Sequence, residues 1–218
     1  LLLSELAFAA NAHVLCEKPI AMNLAEATAM VAAAEAANRK LSICFEYRTW
    51  DESIHVRQLI DTGVMGHVHA IRTWGGEPYG FKPVPARYKH ATASGGVIAH
   101  WTIHNIDLAL WLLGFPKALS VASFNEQRMK RYPGALGEHQ TQIPLSAVDD
   151  SIEDFAASFV RLDNDTVLTV ESNRLQPPSD RPEGWEILAA KGAAAISPIR
   201  VRIDTEAGWN DQTPRDLA

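Results

Sequence analysis

The sequence predicts an α/β protein in which a parallel strand–helix–strand unit is followed by an α+β domain with a large, mainly antiparallel open sheet. Near the start of the chain, two short apolar runs flank one long helical pattern. Strands connected in this way pair in parallel through a right-handed crossover. From residue 118 onward, strand-like runs follow one another without intervening helices, which is typical of an antiparallel sheet. We therefore predict two domains, at 1–48 and 49–218.

The first domain is predicted from four consecutive segments. The chain opens within a helical pattern whose apolar positions are Leu2, Leu3, Leu6, Ala7 and Ala10. A short buried strand over 14–16 then leads into Glu17-Lys18-Pro19. Asn23 is a candidate N-cap, and Glu26 completes a capping box at the start of a helix that runs to residue 38. The segment 41–45 is predicted to be a second buried strand.

The second domain is predicted to begin with a helix over 51–61 that ends at Gly63, a strand over 68–74 and a buried helix over 97–113. Further strands are expected at 118–125, 151–162, 166–175, 185–190 and 199–203. Asp163-Asn164-Asp165 is typical of a hairpin turn between two of them. Loops are predicted over 75–94, over 132–150 and after Asp204. The first is long for a connection in a compact domain, which favours a functional loop.

Composition and charge exclude several classes of protein. The chain has 218 residues, a net charge of −6 and a hydrophobic fraction of 47%, which is ordinary for a globular protein. It has no basic stripe for nucleic acid and no apolar run approaching the roughly 20 residues of a membrane span. Cys16 and Cys44 each lie in an apolar run, which favours buried, inert thiols in a reducing cytoplasm over a disulfide or a reactive thiol.

Three ionisable residues lie in one stripe of the predicted helix over 97–113. His100, His104 and Asp107 are spaced by four and three residues, and apolar residues occupy most of the remaining circumference. Burying three such groups is costly unless they face a cleft or one another. The stripe is therefore a candidate active-site wall, and a purely structural network in which Asp107 orients His104 is the alternative.

His100 and His104 also match a metal-ligand spacing. Trp101, however, stands where the His-Glu-x-x-His zinc motif has its glutamate, and no third histidine or cysteine ligand is evident nearby. We therefore predict no metal site. Lys18 directly follows an apolar strand, and residues so placed reach the carboxyl edge of an α/β sheet, where ligands bind. A solvated surface lysine is the alternative.

Three blocks of the sequence resemble the Gfo/Idh/MocA family of NAD(P)-dependent oxidoreductases. They are Glu17-Lys18-Pro19 after a hydrophobic strand, the helix–turn–strand segment 59–68, and the glycine-led segment 95–108. The resemblance covers residues 1 to 124 and, more loosely, the chain to residue 203. It implies that 1–48 is the C-terminal part of a Rossmann dinucleotide-binding domain and that 49–218 is an incomplete substrate-binding and oligomerisation domain. It also implies NAD or NADP as cofactor and a homo-oligomer, a dimer or tetramer, in the complete protein.

The resemblance implies roles for individual residues. Lys18 is expected to lie between the nicotinamide and the substrate hydroxyl, and His104 to take the hydroxyl proton during hydride transfer. His100 stands where the family usually has an acid, and Asp107 supports the same site. The residues implied in cofactor binding are Glu17, Lys18, Pro19, Tyr47 and Arg48, with a cis bond before Pro19 and with a surface position as the alternative for Arg48.

The predicted loop over 75–94 adds candidate substrate contacts, because flat aromatic rings pack against sugar faces. The candidates for binding substrate are His100, Asp107, Tyr79, Lys82 and Arg87, with Trp74 and Tyr88 beside them. An ordinary loop role is the alternative for each of the loop residues.

The predicted function is transfer of a hydride between NAD(P) and the CH–OH or C=O group of a sugar, inositol or related polyol. An NAD-dependent glycosidase of the same fold is one alternative. A catalytically inactive fragment is another, because the family binds the cofactor pyrophosphate at a G-x-G-x-x-G turn that this sequence lacks. We expect the chain to be truncated at the N-terminus and at the C-terminus. The predicted partner is a small carbohydrate or polyol, with no nucleic acid or membrane partner.

Overall fold

A computed structural model describes residues 1–76, 95–127, 152–174 and 183–216. Its helices are α1 Leu2–Ala9, α2 Leu24–Ala36, α3 Asp51–Asp61 and α4 Ile103–Leu112, with a 3-10 turn at Glu46–Thr49 and a π-helical turn at Ile98–Thr102. Its strands are β1 Val14–Cys16, β2 Leu41–Ile43, β3 Val68–Gly75, β4 Ala118–Glu126, β5 Phe155–Leu162, β6 Val167–Asn173, β7 Gly184–Ala189, β8 Gly192–Ile196, β9 Arg200–Thr205 and β10 Gly208–Asp211.

The first part of the chain is a parallel strand–helix–strand unit, as predicted. Strands β1 and β2 pair in parallel, with Val14 opposite Leu41 and Cys16 opposite Ile43. The N-cap of α2 is also confirmed: the Asn23 side-chain oxygen accepts a hydrogen bond from the Glu26 backbone N–H at 3.0 Å. The Glu26 side chain reaches back to the Met22 backbone N–H at 3.2 Å rather than to that of Asn23, so the predicted capping box is only half formed. Helix α2 ends at Ala36, two residues before the predicted end.

Burial of the two strands was predicted wrongly. Within the described residues, β1 and β2 form a sheet of two strands, and Leu15 on β1 is 70% exposed. Helices α1 and α2 pack against each other, and α1 contacts β1. Both cysteines are free and half-buried, so the prediction of fully buried thiols is also wrong.

A mixed sheet forms the second part of the fold. In the described ranges it has eight strands in the order β10-β9-β8-β7-β3-β6-β5-β4. Every neighbouring pair is antiparallel except β3 and β6, which pair in parallel with Ile71 opposite Leu168. The turn predicted at 163–165 does connect β5 to β6, and Asp165 adopts a left-handed backbone conformation with φ 61°.

Helices α3 and α4 pack on one face of this sheet and enclose the hydrophobic core. The core is built from apolar side chains of both helices and of alternate positions on the central strands. Leu108, Ala109 and Leu112 on α4 are completely buried, and so are Trp185 and Ile187 on β7. A helix with apolar residues around most of its circumference needs such cover, which confirms the predicted burial of α4.

Two strands, β8 and β10, were not predicted from the sequence. Strand β8 has the sequence Gly-Ala-Ala-Ala-Ile, and neither glycine nor alanine favours strands. Its place is decided by antiparallel pairing with β7 and β9 on either side. The tail after Asp204 was predicted as loop, but β9 continues to Thr205 and β10 pairs with it, Gly208 opposite Thr205. All four residues of β10 are exposed, so no hydrophobic alternation marks it.

The helix predicted over 97–113 is also corrected. Its first turn, Ile98–Thr102, is π-helical, and regular α-helix begins at Ile103. The wider turn rotates His100 relative to His104, so a simple α-helical spacing does not describe their relation. Among the helices of the described ranges, none combines the length and the hydrophobicity of a membrane span.

Candidate functional site

The carboxyl ends of β1 and β2 bring two charged segments to the same edge of the small sheet. Beyond β1 the chain continues as Glu17-Lys18-Pro19, with a cis peptide bond before Pro19 as the resemblance implied. Beyond β2 it continues into the turn Glu46–Thr49. The Cys44 backbone N–H donates to the Cys16 carbonyl at 2.9 Å, so the pairing extends past the last strand residue. This edge therefore places Lys18 opposite the segment that carries Glu46, Tyr47 and Arg48.

Lys18 joins this edge to the helical segment of the second part of the chain. Its ammonium group donates a hydrogen bond to the backbone carbonyl of His100, which lies in the π-helical turn. His104 follows one turn later on α4. Two segments more than eighty residues apart in sequence therefore meet at this point, and the lysine and the imidazole predicted to handle protons belong to the same site.

The His104 ring is buried between the two segments. It is 7% exposed, and its centroid lies 4.9 Å from the Tyr47 ring and 5.9 Å from the Phe45 ring. Its Nδ1 atom lies 3.5 Å from a carboxylate oxygen of Glu46 and makes no hydrogen bond to any described residue. A buried ring nitrogen without a hydrogen bond is unusual in a folded protein, which makes the His104 ring a candidate for chemistry.

Burial lowers the pKa of His104 below its usual value, because the charged imidazolium loses its hydration. The nearby Glu46 carboxylate raises the pKa, the Lys18 ammonium lowers it, and Asp107 and Glu17 raise it. The net shift is downward. His104 is therefore held in its neutral form near neutral pH, which is the form that accepts a proton.

Arg48 and Asp107 form a second contact between the turn after β2 and helix α4. The Arg48 Nε atom donates to Asp107 Oδ2 at 2.7 Å, and its Nη2 atom pairs with Oδ1. The Asp107 side chain is 9% exposed and that of Arg48 is 32% exposed. The guanidinium also lies over the rings of Phe45 and Phe115, at 5.2 and 5.1 Å. The alternative in which Asp107 orients His104 is not what the structure shows; Asp107 holds Arg48.

Glu183 is a site residue that the sequence reasoning missed. Its carboxylate accepts hydrogen bonds from the Tyr47 hydroxyl, at 3.1 and 3.2 Å, and from the Trp101 indole N–H at 3.2 Å. Burial raises the pKa of Glu183, while the two hydrogen bonds oppose that shift. Burial and the neighbouring Glu183 raise the pKa of Tyr47 as well. No motif surrounds Glu183 in the sequence, so only the tertiary contact identifies it.

Glu153 was missed for the same reason. Its side-chain oxygens accept hydrogen bonds from the backbone N–H groups of Gly96 and Ile98, at 2.9 and 3.2 Å, and its backbone carbonyl accepts from Val97 at 3.0 Å. It caps the helical segment that carries His100 and His104. A Cβ atom on Gly96 would lie 1.8 Å from the Glu153 carbonyl oxygen, so this close approach requires glycine.

The stripe predicted from helical spacing is only partly present. His100 is half-buried and its Nδ1 atom lies 3.2 Å from the guanidinium of Arg174, at the end of β6. His104 and Asp107 are buried and contact different residues of the turn after β2. The substrate-binding roles of His100 and Asp107 stay predictions. Within the described ranges, no three histidine, cysteine, aspartate or glutamate side chains are grouped as metal ligands.

Three predicted substrate contacts, Tyr79, Lys82 and Arg87, lie outside the described residues. The same holds for Tyr88 and for the predicted loop over 132–150. Trp74 is described: it lies on β3, half-buried, where its carbonyl accepts a hydrogen bond from the Asn105 side chain at 3.0 Å.

The sequence is similar to two curated dehydrogenases over part of their length. Myo-inositol 2-dehydrogenase of Thermotoga maritima is 32% identical over 51% of this chain and 33% of its own. Levoglucosan dehydrogenase of Pseudarthrobacter phenanthrenivorans is 27% identical over 78% of this chain and 46% of its own. The chain thus spans between a third and a half of the length of these curated relatives.

The fold is similar to that of solved structures. An NAD-binding oxidoreductase from Klebsiella pneumoniae superimposes with a TM-score of 0.80 at 20% identity, over 97% of this chain and 56% of that one. Residues 3–45 match the family model of the oxidoreductase NAD-binding Rossmann fold, and residues 54–195 match that of the GFO/IDH/MocA C-terminal domain. The second match covers well over half of the sequence, and with it the chain belongs to the GFO/IDH/MocA family of oxidoreductases.

Proposed function

We propose that this chain is part of an NAD(P)-dependent dehydrogenase or reductase that acts on a sugar, an inositol or a related polyol. The observation that carries the proposal is the meeting of Lys18 and His104, a cation and a buried neutral imidazole from distant parts of the chain. Oxidation of a secondary alcohol needs a base for the hydroxyl proton and a positive charge near the developing alkoxide. The dehydrogenase relatives support the choice of a polyhydroxylated substrate.

The roles divide between the two residues. His104 accepts the hydroxyl proton, because burial holds its ring neutral and its Nδ1 side faces Glu46, which leaves Nε2 for the substrate. Lys18 stabilises the negative charge that develops on the substrate oxygen, and in the reverse direction it can donate the proton. Pairing of Arg48 with Asp107 holds the turn after β2, which carries Glu46 and Tyr47, against the helix that carries His104.

The residues at this edge fit the nicotinamide end of NAD(P). The buried His104 ring and the cationic Lys18 meet beside the carboxyl ends of the parallel strands, where dinucleotides bind in such folds. Glu17, Lys18, Pro19, Tyr47 and Arg48 are the residues we assign to holding that end, Arg48 while paired with Asp107. When bound, the nicotinamide supplies the hydride acceptor or donor.

The test is a panel of polyols with NAD or NADP, including myo-inositol and levoglucosan, followed through the absorbance of the reduced nicotinamide. We expect net reduction of NAD(P) with at least one member, and loss of about a hundredfold or more in kcat for His104→Ala. His69→Ala, an exposed histidine on β3, is the matched control and keeps full activity. Cleavage of an aryl glycoside without net reduction of NAD would instead identify the glycosidase. Activity of His104→Ala within a few-fold of the unchanged chain would contradict the assignment of the base.

The proposal extends to domain organisation and assembly. We place the domain boundary between residues 48 and 49, inside the turn that follows β2. Large apolar side chains exposed on the face of β4 and β5 that points away from the helices, namely Phe124 and Phe159, support a homo-oligomer formed through the open face of the large sheet. Sedimentation velocity tests this, with a monomer as the contradicting result. The two free cysteines are in keeping with a reducing cytoplasm.

A further inference from the structure

We propose that Glu46 is the positioning residue for His104, holding the imidazole through Nδ1 and stabilising the protonated ring. This deepens the proposed function and rests on it for the role of His104 as the base. Glu46 lies in the turn after β2, and its Oε2 atom is 3.5 Å from His104 Nδ1. At this distance the contact is an ion pair once the ring is protonated.

The other side chains of the predicted stripe are engaged elsewhere. The His100 ring contacts the Arg174 guanidinium at 3.2 Å through its Nδ1 atom. Both carboxylate oxygens of Asp107 accept from Arg48. Neither residue places an acceptor on His104 Nδ1, which makes no hydrogen bond to the described part of the chain. Glu46 is therefore the carboxylate that serves His104, and it comes from the strand end rather than from the helix.

The charges around His104 agree with this assignment. The groups that face it are Glu46 and Tyr47 from the turn, Glu17 and Lys18 from the segment after β1, and Asp107 from its own helix. Burial and Lys18 lower the pKa of His104, and Glu46 makes the largest of the contributions that raise it. Burial raises the pKa of Tyr47, so it faces the ring as a neutral phenol.

The chemistry follows from the geometry. A carboxylate beside Nδ1 favours the tautomer with its proton on that nitrogen, and Nε2 is then free to accept the substrate proton. It also compensates the positive charge that appears on the ring after the transfer. Without it, the buried imidazolium would face Lys18, and among the described residues the acids opposing that charge would be Asp107 and Glu17, which raise the pKa of His104 less than Glu46 does. Glu46 is 57% exposed, so water and salt weaken the pair and its effect is modest.

The experiment is an NMR titration of the histidine ring carbons in the unchanged chain and in Glu46→Gln. The chain has eight histidines, and the resonance missing from a His104→Gln variant identifies the one of interest. We expect Glu46→Gln to lower the proton affinity of His104 by about two- to fivefold, the range for a half-exposed charge pair. The difference should shrink at about 1 M salt, where the screening length is only a few ångströms.

Two further variants distinguish an effect of the Glu46–His104 pair on the titration of His104 from a general effect of removing one negative charge. Glu35→Gln removes the same charge from the exposed face of α2 and should leave the titration of His104 unchanged. Glu46→Asp keeps the charge on a shorter side chain and should restore part of the lost proton affinity. Equal titration of His104 in the unchanged chain and in Glu46→Gln would overturn the inference, and so would an equal effect of Glu35→Gln.

Failure of this inference is distinguishable from failure of the proposed function, because the titration needs neither cofactor nor substrate. A lowered proton affinity, with no polyol turnover by the enzyme of which this chain is part, supports the pair and contradicts the dehydrogenase. Net turnover with a titration unaffected by Glu46→Gln supports the dehydrogenase and contradicts the pair.

Discussion

Replacing Arg48 by methionine isolates the energetic role of the contact between the turn after β2 and α4. Methionine keeps much of the apolar stem against Phe45 and Phe115 but removes both hydrogen bonds to Asp107. Breaking a buried pair by removing one partner costs about 3–5 kcal/mol, since a charge is left buried and unpaired. The Arg48 side chain is 32% exposed, so water can partly hydrate the Asp107 carboxylate that has lost its partner. We therefore expect Arg48→Met to lower the free energy of unfolding by about 2–3 kcal/mol.

Urea unfolding followed by fluorescence measures this loss, and two further variants test the reasoning. Asp107→Asn should lower the free energy of unfolding by less, about 1 kcal/mol, because the charge that loses its partner is then that of Arg48, which is more exposed than Asp107. In a chain that already carries Asp107→Asn, Arg48→Met should lower the free energy of unfolding by less than it does in the unchanged chain. Arg72→Met is the matched control: its partner Glu186 is 3.7 Å away and its own side chain is 58% exposed, so we expect at most about 0.5 kcal/mol. Equal losses for Arg48→Met and Arg72→Met would refute the argument from burial.

Three other predictions concern single contacts. Gly96→Ala should destabilise the chain by about 3 kcal/mol or more in urea, since its Cβ would overlap the Glu153 carbonyl; a loss below about 1 kcal/mol would contradict that geometry. Asn23→Ala should lower the free energy of unfolding by about 1 kcal/mol because it removes the cap of α2, whereas Asn23→Asp should retain most of the stability that the cap contributes. The raised pKa of Glu183 means that its protonated form stabilises the fold below about pH 4.3 and that this stability is lost as pH rises through the folded-state pKa. Glu183→Gln should therefore flatten the dependence of the urea midpoint on pH across that window, and an unchanged slope would show that Glu183 does not titrate differently on folding.

The elements with strong local signals were predicted correctly. Helix α2 has an N-cap at Asn23 and an alanine-rich sequence, and both are signals from residues near one another along the chain. The all-round apolar pattern of α4 predicted its burial. Strand β10 gave no such signal, because its four residues are exposed and its existence depends on pairing with β9. The π-helical turn at Ile98–Thr102 likewise leaves no periodic trace that differs from an α-helix over five residues.

For the candidate site, the sequence by itself determined which residue types are present and that Lys18 follows a strand end. The resemblance then paired it with His104, and both remain the centre of the proposed site. Only the tertiary structure decided which residues contact one another at the site. Glu46 lies beside His104, Arg48 pairs with Asp107, and Glu183 accepts hydrogen bonds from Tyr47 and Trp101. These contacts join segments roughly sixty to nearly 140 residues apart. Spacing within one helix fixes which side chains share a face, but the carboxylate that meets each one is set by how the parallel strand ends pack against α4, and no local pattern encodes that packing.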